Sequence, residues 1–163
     1  MTKIKNLLFF FYYKILNLSL NSAAREQGLI PIREALVKII PDIRDQYTTV
    51  VFNNDYWINN LRTLHAFQIK IAKRAIAMLD NVETPTIVDI GDSSGVHMQY
   101  LLNIYGSDAI KAISVNIDPV AVDKVIGKGL KAIHARAELL HEHPDFNDKT
   151  NVSLSYEMLE HLF

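Results

Sequence analysis

The sequence predicts an α/β protein in which a parallel sheet follows an α-helical N-terminal region. From Thr86 onward, short β-branched runs alternate with helical segments at the spacing of βαβ units. Before Asp80, apolar residues recur at intervals of three and four, the signature of helices with one packing face. A third observation locates the chemistry: the first β-branched run ends in a loop of small residues that opens a helix. The chain has 163 residues, 49% apolar and 21% charged, which excludes disordered, collagen-like and coiled-coil chains. Seventeen Lys and Arg against eighteen Asp and Glu leave no positive excess for a phosphate backbone, so nucleic acid is not an expected partner. With no cysteine, disulfides, thiolate metal sites and cysteine nucleophiles are excluded, and the expected location is cytoplasmic.

The first thirty residues admit three readings. Lys3 and Lys5 precede an apolar run over residues 7–13, which Lys14 interrupts. A bilayer-spanning helix needs about 20 predominantly apolar residues, and Lys14, Asn17, Ser19 and Asn21 break the pattern well short of that. A secretory signal fits loosely, with Ser22, Ala23 and Ala24 as its small-residue site, but Lys14 cuts the apolar segment at its minimum length. A surface helix would instead dip Phe9, Phe10, Phe11, Tyr12 and Tyr13 into a membrane interface. That makes residues 7–20 a candidate peripheral membrane contact, for a cytoplasmic protein associated with membrane. The plainest reading is a helix that packs on the rest of the protein.

From Pro31, the residues Ile32, Ala35, Leu36, Ile39 and Ile40 keep helical spacing until Pro41 stops them. Residues 42–54 form a connection in which the β-branched run 48–51 could be extended. Asp55 can cap a long helix whose stripe is Trp57, Leu61, Leu64, Gln68, Ile71 or Ala72, Ala75 and Leu79, with Arg62, Lys70, Lys73 and Arg74 off it. His65 and Gln68 near that stripe read as polar residues satisfied at the edge of a packing face rather than as ligands. The helical N-terminal region, residues 1–80, is then expected to pack on a core formed by residues 81–163.

In that second part, Thr86–Ile90 reads as a buried strand entering a tight turn at Gly91, followed by a helix from about Gly95 to Tyr105 that Gly106 ends. Residues 112–117 make a second strand, and Asp118 and Pro119 supply the cap and first position of the next helix. That helix ends near Gly127 or Gly129. Residues 130–135 make a third strand, 137–143 a helical turn, and Val152–Ser155 a fourth strand after a polar loop.

The most informative residues are Val88, Asp89, Ile90, Gly91, Asp92, Ser93, Ser94 and Gly95, an acid at a strand end followed by a small-residue loop. Gly91 and Gly95 carry no side chain to block an approaching ligand and can adopt positive φ, and the following helix presents free N–H groups. A dinucleotide fold wants GxGxxG with a pyrophosphate on that helix. Here the two glycines are four apart with Asp92 between them, and a carboxylate beside a diphosphate is electrostatically unfavourable. A carboxylate at Asp89 or Asp92 suits a cation such as an ammonium group better.

The segments VDIGDSSGVHMQYL, AISVNIDPVAV, KAIHARAELL and NVSLSYEMLEHL, in that order and spacing, resemble motifs I to IV of the class I S-adenosylmethionine-dependent methyltransferases. The resemblance covers residues 86–163 and implies a Rossmann-like parallel sheet, S-adenosylmethionine as cofactor and methyl transfer to an acceptor. Asp89, Gly91 and Gly95 match the family's DxGxGxG loop, with Asp92 inside it and Ser93 in place of the middle glycine. A negative φ makes serine tolerable there, and its hydroxyl could reach the cofactor carboxylate.

Where the family carries an acid for the ribose hydroxyls at the end of the second strand, this chain has Asn116, then Ile117 and Asp118. Asn116 accepts through a single oxygen, so ribose binding should be weaker unless Asp118 substitutes, and a helix cap is the favoured role for Asp118. After the third strand, where an acid would face the adenine amino group, stands Arg136, which cannot accept, followed by Ala137, whose N–H remains on offer. Tyr156, Glu157 and Met158 fall where the family lines the cofactor. Glu157 and His161, four apart, are weak candidates for an acid/base pair, with a cap or exposed ion pair the favoured reading. His141, Glu142 and His143 supply too few ligands for a catalytic zinc, so no metal is expected.

The resemblance implies a sheet of seven strands in the order 3-2-1-4-5-7-6. This chain stops after the fourth, so a fragment of the domain is expected. The expected activity is methylation of a small-molecule or lipid-like acceptor. The competing reading is a non-catalytic remnant or interaction module, favoured by Asn116, Arg136 and the missing half of the sheet; a nicotinamide enzyme is disfavoured by the glycine spacing.

Overall fold

The computed structural model describes residues 2–43, 55–144, 146 and 149–156, with side chains from residue 7 onward. The elements run α1 (Thr2–Glu26), α2 (Ile30–Ile39), α3 (Asp55–Ala77), β1 (Thr86–Ile90), α4 (Val96–Tyr105), β2 (Lys111–Asn116), α5 (Pro119–Gly127), β3 (Lys131–His134), a 3-10 turn (Ala137–Glu142) and β4 (Val152–Ser155). The chain divides into two compact units, Met1–Phe67 and Gln68–Phe163, with the division inside α3. The run 48–51, with Glu157, Met158 and His161, lies outside the described residues.

In the first unit α1 ends at Gly28, whose φ of +65° is the left-handed stop a helix C-terminus favours. The N–H groups of Gly28 and Leu29 there close onto the carbonyls of Arg25 and Ala24. Pro31 sits in the first turn of α2, where its missing N–H costs nothing. The stripe expected on α3 needs correction. Leu61, Gln68 and Ala72 of that stripe are buried, but Trp57, Leu64 and Ile71 are exposed, and Arg62, His65, Ala66 and Ile69 are buried in addition. Arg62 is drawn inward by the open end of α2: its guanidinium donates to the carbonyls of Ile40 at 3.3 Å and Pro41 at 2.7 Å. Carbonyls past a helix end lack intrahelical partners, and an arginine can bury its stem while its head supplies donors.

The second unit is built on a four-stranded, all-parallel sheet in the order β3-β2-β1-β4. Helices link consecutive strands β1 to β2 and β2 to β3, as a Rossmann-like α/β arrangement requires. Side-chain alternation gives the sheet two apolar faces. Ile87, Ala112, Val152 and Leu154 pack with Met98 and Leu101 of α4 and Ala72 of α3, whereas Val88, Ile113, Val115 and Ile133 pack with Leu140. Burial on both faces explains why β1 and β2 read as near-continuous β-branched runs. The second and third strands end earlier than the expected residues 117 and 135; Ile117 is 70% exposed beyond β2. Among the described residues no helix is long and apolar enough to cross a membrane.

Ile113 is fully buried in the middle of β2. Ile113→Ala should cost about 2–5 kcal/mol in urea unfolding, whereas Ile117→Ala should stay within about 0.5 kcal/mol.

Candidate functional site

The strand order reverses at β1: β2 and β3 lie on one side and β4 on the other. In open parallel sheets such a reversal leaves a crevice at the carboxyl ends of the strands. The loop at residues 91–95 opens at that edge. Gly91 has φ +87° and its N–H donates to Val115 O at 2.8 Å, tying the turn to β2. Asp92 is buried and folds back on the loop. Its Oδ1 accepts from the N–H of Ser94 at 3.1 Å and of Gly95 at 2.8 Å, and its Oδ2 accepts from Ser114 Oγ at 3.2 Å.

Gly95 then starts α4 at φ +75°, where a Cβ would lie 2.6 Å from Leu130 Cδ1 and 3.3 Å from Val125 Cγ1. Lys128 Nζ donates to Ser94 O at 2.8 Å. Ser93 is exposed and its φ is not positive, the condition under which serine can replace glycine here. Ser94 Oγ is buried with no hydrogen-bond partner among the described residues.

Asp89 is 1% exposed. Its Oδ2 lies 2.7 Å from Nδ1 of His97, in the first turn of α4, and the other ring nitrogen lies 3.0 Å from Gln68 Oε1 on α3. With the Gln68 amide oriented in this way, Nε2 must carry a hydrogen, and one further proton is held between Nδ1 and Oδ2. Burial pushes the Asp89 carboxyl up to about 6 against the opposing pull of the His97 hydrogen bond and charge, with Asp92 adding a smaller upward push. Tyr156 encloses the pair: its ring centroid is 5.0 Å from that of His97, and its hydroxyl donates to Gln68 O at 2.8 Å. Burial, and secondarily the charge of Asp89, push its phenol up to about 12.

The remaining expected residues stand at the same edge but are mostly engaged internally. Asn116 Nδ2 donates to Asp92 O at 3.1 Å and its Oδ1 accepts from Asp118 N at 2.9 Å, so it ties the β1 loop to the β2 loop. Ile117 is exposed. Asp118 is the cap expected of it, its Oδ1 accepting from Val120 N at 3.0 Å. Arg136 is exposed and paired with Glu138, which lowers the Glu138 carboxyl from its ordinary value chiefly through hydrogen bonds from its own backbone and from Arg136. Ala137 opens the 3-10 turn, where first-turn N–H groups have no partner within the turn.

Sequence reasoning did not single out His97, which stands eight positions after Asp89 across a strand, a loop and a helix start, a separation no periodicity marks. Gln68 was read as an edge residue, and the structure makes it the support of that histidine.

Asp89, Asp92 and His97 bring possible ligand atoms within 4.8 Å of one another. Those groups already bond to each other and to the loop, so an ion entering here would have to displace the 2.7 Å contact. His141, Glu142 and His143 do not converge with them, although His141 lies 3.5 Å from Glu142. In comparisons with known proteins, no family model and no curated protein matches the chain.

Gly95→Ala should destabilise the second unit by about 1–3 kcal/mol from the backbone conformation alone, read as a shift in the urea midpoint. The Asp89 carboxyl sits above its unfolded value of about 3.9. Its protonated form is thus favoured by folding, and this contribution is complete below about pH 4 and is lost as pH rises through about 6. Relative to Asp89→Asn, the wild type should lose up to about 3 kcal/mol over that interval, measured as unfolding free energy against pH.

Proposed function

We propose that the carboxyl edge of the sheet binds S-adenosylmethionine and that the chain is a methyltransferase unit. The observation that carries this reading is the conformation of the β1–α4 loop. With Asp92 turned inward and glycines at both ends, the loop offers backbone and the Ser93 hydroxyl toward the crevice beside the strand reversal, a surface suited to the cofactor's carboxylate, while neither Asp89 nor Asp92 is left to meet its ammonium group as the sequence suggests. Such a surface fits the amino-acid portion of the cofactor along Gly91, Asp92, Ser93 and Gly95. Ile117 and Asp118 at the end of β2 then stand at the ribose, and Arg136 and Ala137 past β3 at the adenine. Asp89 serves by holding His97, and through it the start of α4, instead of by touching the ammonium group. When bound, S-adenosylmethionine supplies an electrophilic methyl on a positively charged sulfur. The chain's part is to orient that methyl toward the acceptor and to keep the loop rigid, since positioning at contact distance is most of what this displacement needs.

A non-catalytic role is the second reading, and Asn116 favours it. Both ends of its amide are engaged within the protein, and where the family places an acid with two acceptor oxygens this chain has a single oxygen that already holds the N–H of Asp118.

Calorimetric titration with S-adenosylhomocysteine should give saturable one-to-one binding that NAD does not give. Ser93→Trp, at an exposed position, should weaken it at least about tenfold while leaving the circular dichroism unchanged. Absence of heat with S-adenosylhomocysteine would leave the non-catalytic reading standing, and tighter binding of NAD would replace both.

A further inference from the structure

Helix α1 has two apolar faces, and its neighbours cover one of them. Tyr13 packs on Tyr56 with ring centroids 5.7 Å apart, Asn17 accepts from Asn59 at 3.3 Å, and Ala24 is buried. These positions, four and seven apart, define the packed side. On the opposite side, Leu8, Phe11, Tyr12, Ile15 and Leu18 recur at spacings of three and four and are between 53% and 71% exposed. A contiguous apolar stripe of this kind on a helix already anchored by its other face marks an interaction surface.

Charge identifies what the stripe meets. The first 25 residues contain Lys3, Lys5, Lys14 and Arg25 and none of the eighteen acidic residues of the chain, the first of which is Glu26. A second copy of the helix would bring its basic residues together with Glu26, at its last position, as its one carboxylate. An anionic surface is complemented. Lys14 holds its Nζ 5.0 Å from the centre of the Phe10 ring, at the margin of the apolar stripe, where a snorkelling lysine reaches headgroups. The exposed aromatic residues Phe11 and Tyr12 of the stripe suit the boundary between headgroup and acyl chain. No described helix can cross a bilayer, so the helix lies along the surface rather than through it.

We infer that α1 docks the chain on an anionic lipid bilayer through Leu8, Phe11, Tyr12, Ile15 and Leu18. The inference is independent of the cofactor reading. It is tested by sedimenting the full chain with vesicles of phosphatidylcholine alone and of phosphatidylcholine mixed with phosphatidylglycerol. Binding should favour the anionic vesicles and weaken in about 1 M salt, where the screening length falls to about 3 Å. Phe11→Ser, Ile15→Ser and Leu18→Ser together should weaken it at least about a hundredfold, and Lys5→Glu with Lys14→Glu about tenfold or more. Phe11→Trp, made with Trp57→Phe, reports independently of any folding defect: its emission should shift to the blue on adding anionic vesicles. The inference is overturned by unaltered binding of the serine variant, by the absence of binding or of the blue shift, or by dimerisation that the serine changes abolish.

Discussion

Two carboxylates are buried at the carboxyl end of β1, and the local structure is organised around the need to satisfy them. An unpaired ionised carboxylate in an apolar interior is untenable, so each has recruited donors from elements far apart in the chain. Asp92 takes two backbone N–H groups of its own loop and a hydroxyl from β2, and Asp89 takes His97. The first choice dictates the shape of the loop, because the chain must double back within three residues; Gly91 and Gly95 at positive φ then join that turn to β1 and α4. The second links β1, α4 and α3, since the histidine that meets Asp89 is itself supported by Gln68. Strand, turn and helix start are therefore coupled, and a disturbance at Gly95 would reach Asp89 through α4.

What was legible in the sequence was what depends on neighbours along the chain. β1 and β4 fall at their expected residues because buried strands advertise themselves as β-branched runs bounded by turn residues. The Asp118–Pro119 start of α5 was equally plain, since a cap and a first-turn proline are satisfied within three residues. The orientation of α3 was not. Its buried side carries Arg62 and His65, which the expected stripe left out, beside Gln68, which it included, and Arg62 is buried because carbonyls twenty-one and twenty-two positions earlier need donors. His97 escaped for the same reason. Its role depends on Asp89 and Gln68, brought to it by tertiary structure alone.

The first unit shows the converse of this rule. The apolar residues of α1 were legible as a helix, but a mixed run such as LLFFFYY has apolar positions on every side and does not say which of them pack. The contacts of Tyr13 and Asn17 settle that question. Once one face is assigned, the remaining apolar positions no longer count as core, and Lys14, which had merely interrupted the run, becomes the flank of a second face. The same residues change meaning when a single contact is known.

The internal bonds at the sheet edge also bear on the proposed cofactor site. Asn116 gives one lone pair of its amide oxygen to the N–H of Asp118 and keeps a second, so in the proposed site it could accept from a ribose hydroxyl without releasing that bond. Arg136 offers little resistance, because its pair with Glu138 is exposed and screened by solvent. For the proposed site, the engaged state of Asn116 and Arg136 therefore argues for weakened more than for abolished binding, and the loop after β1, whose shape is set by Asp92, is the element on which that proposal turns.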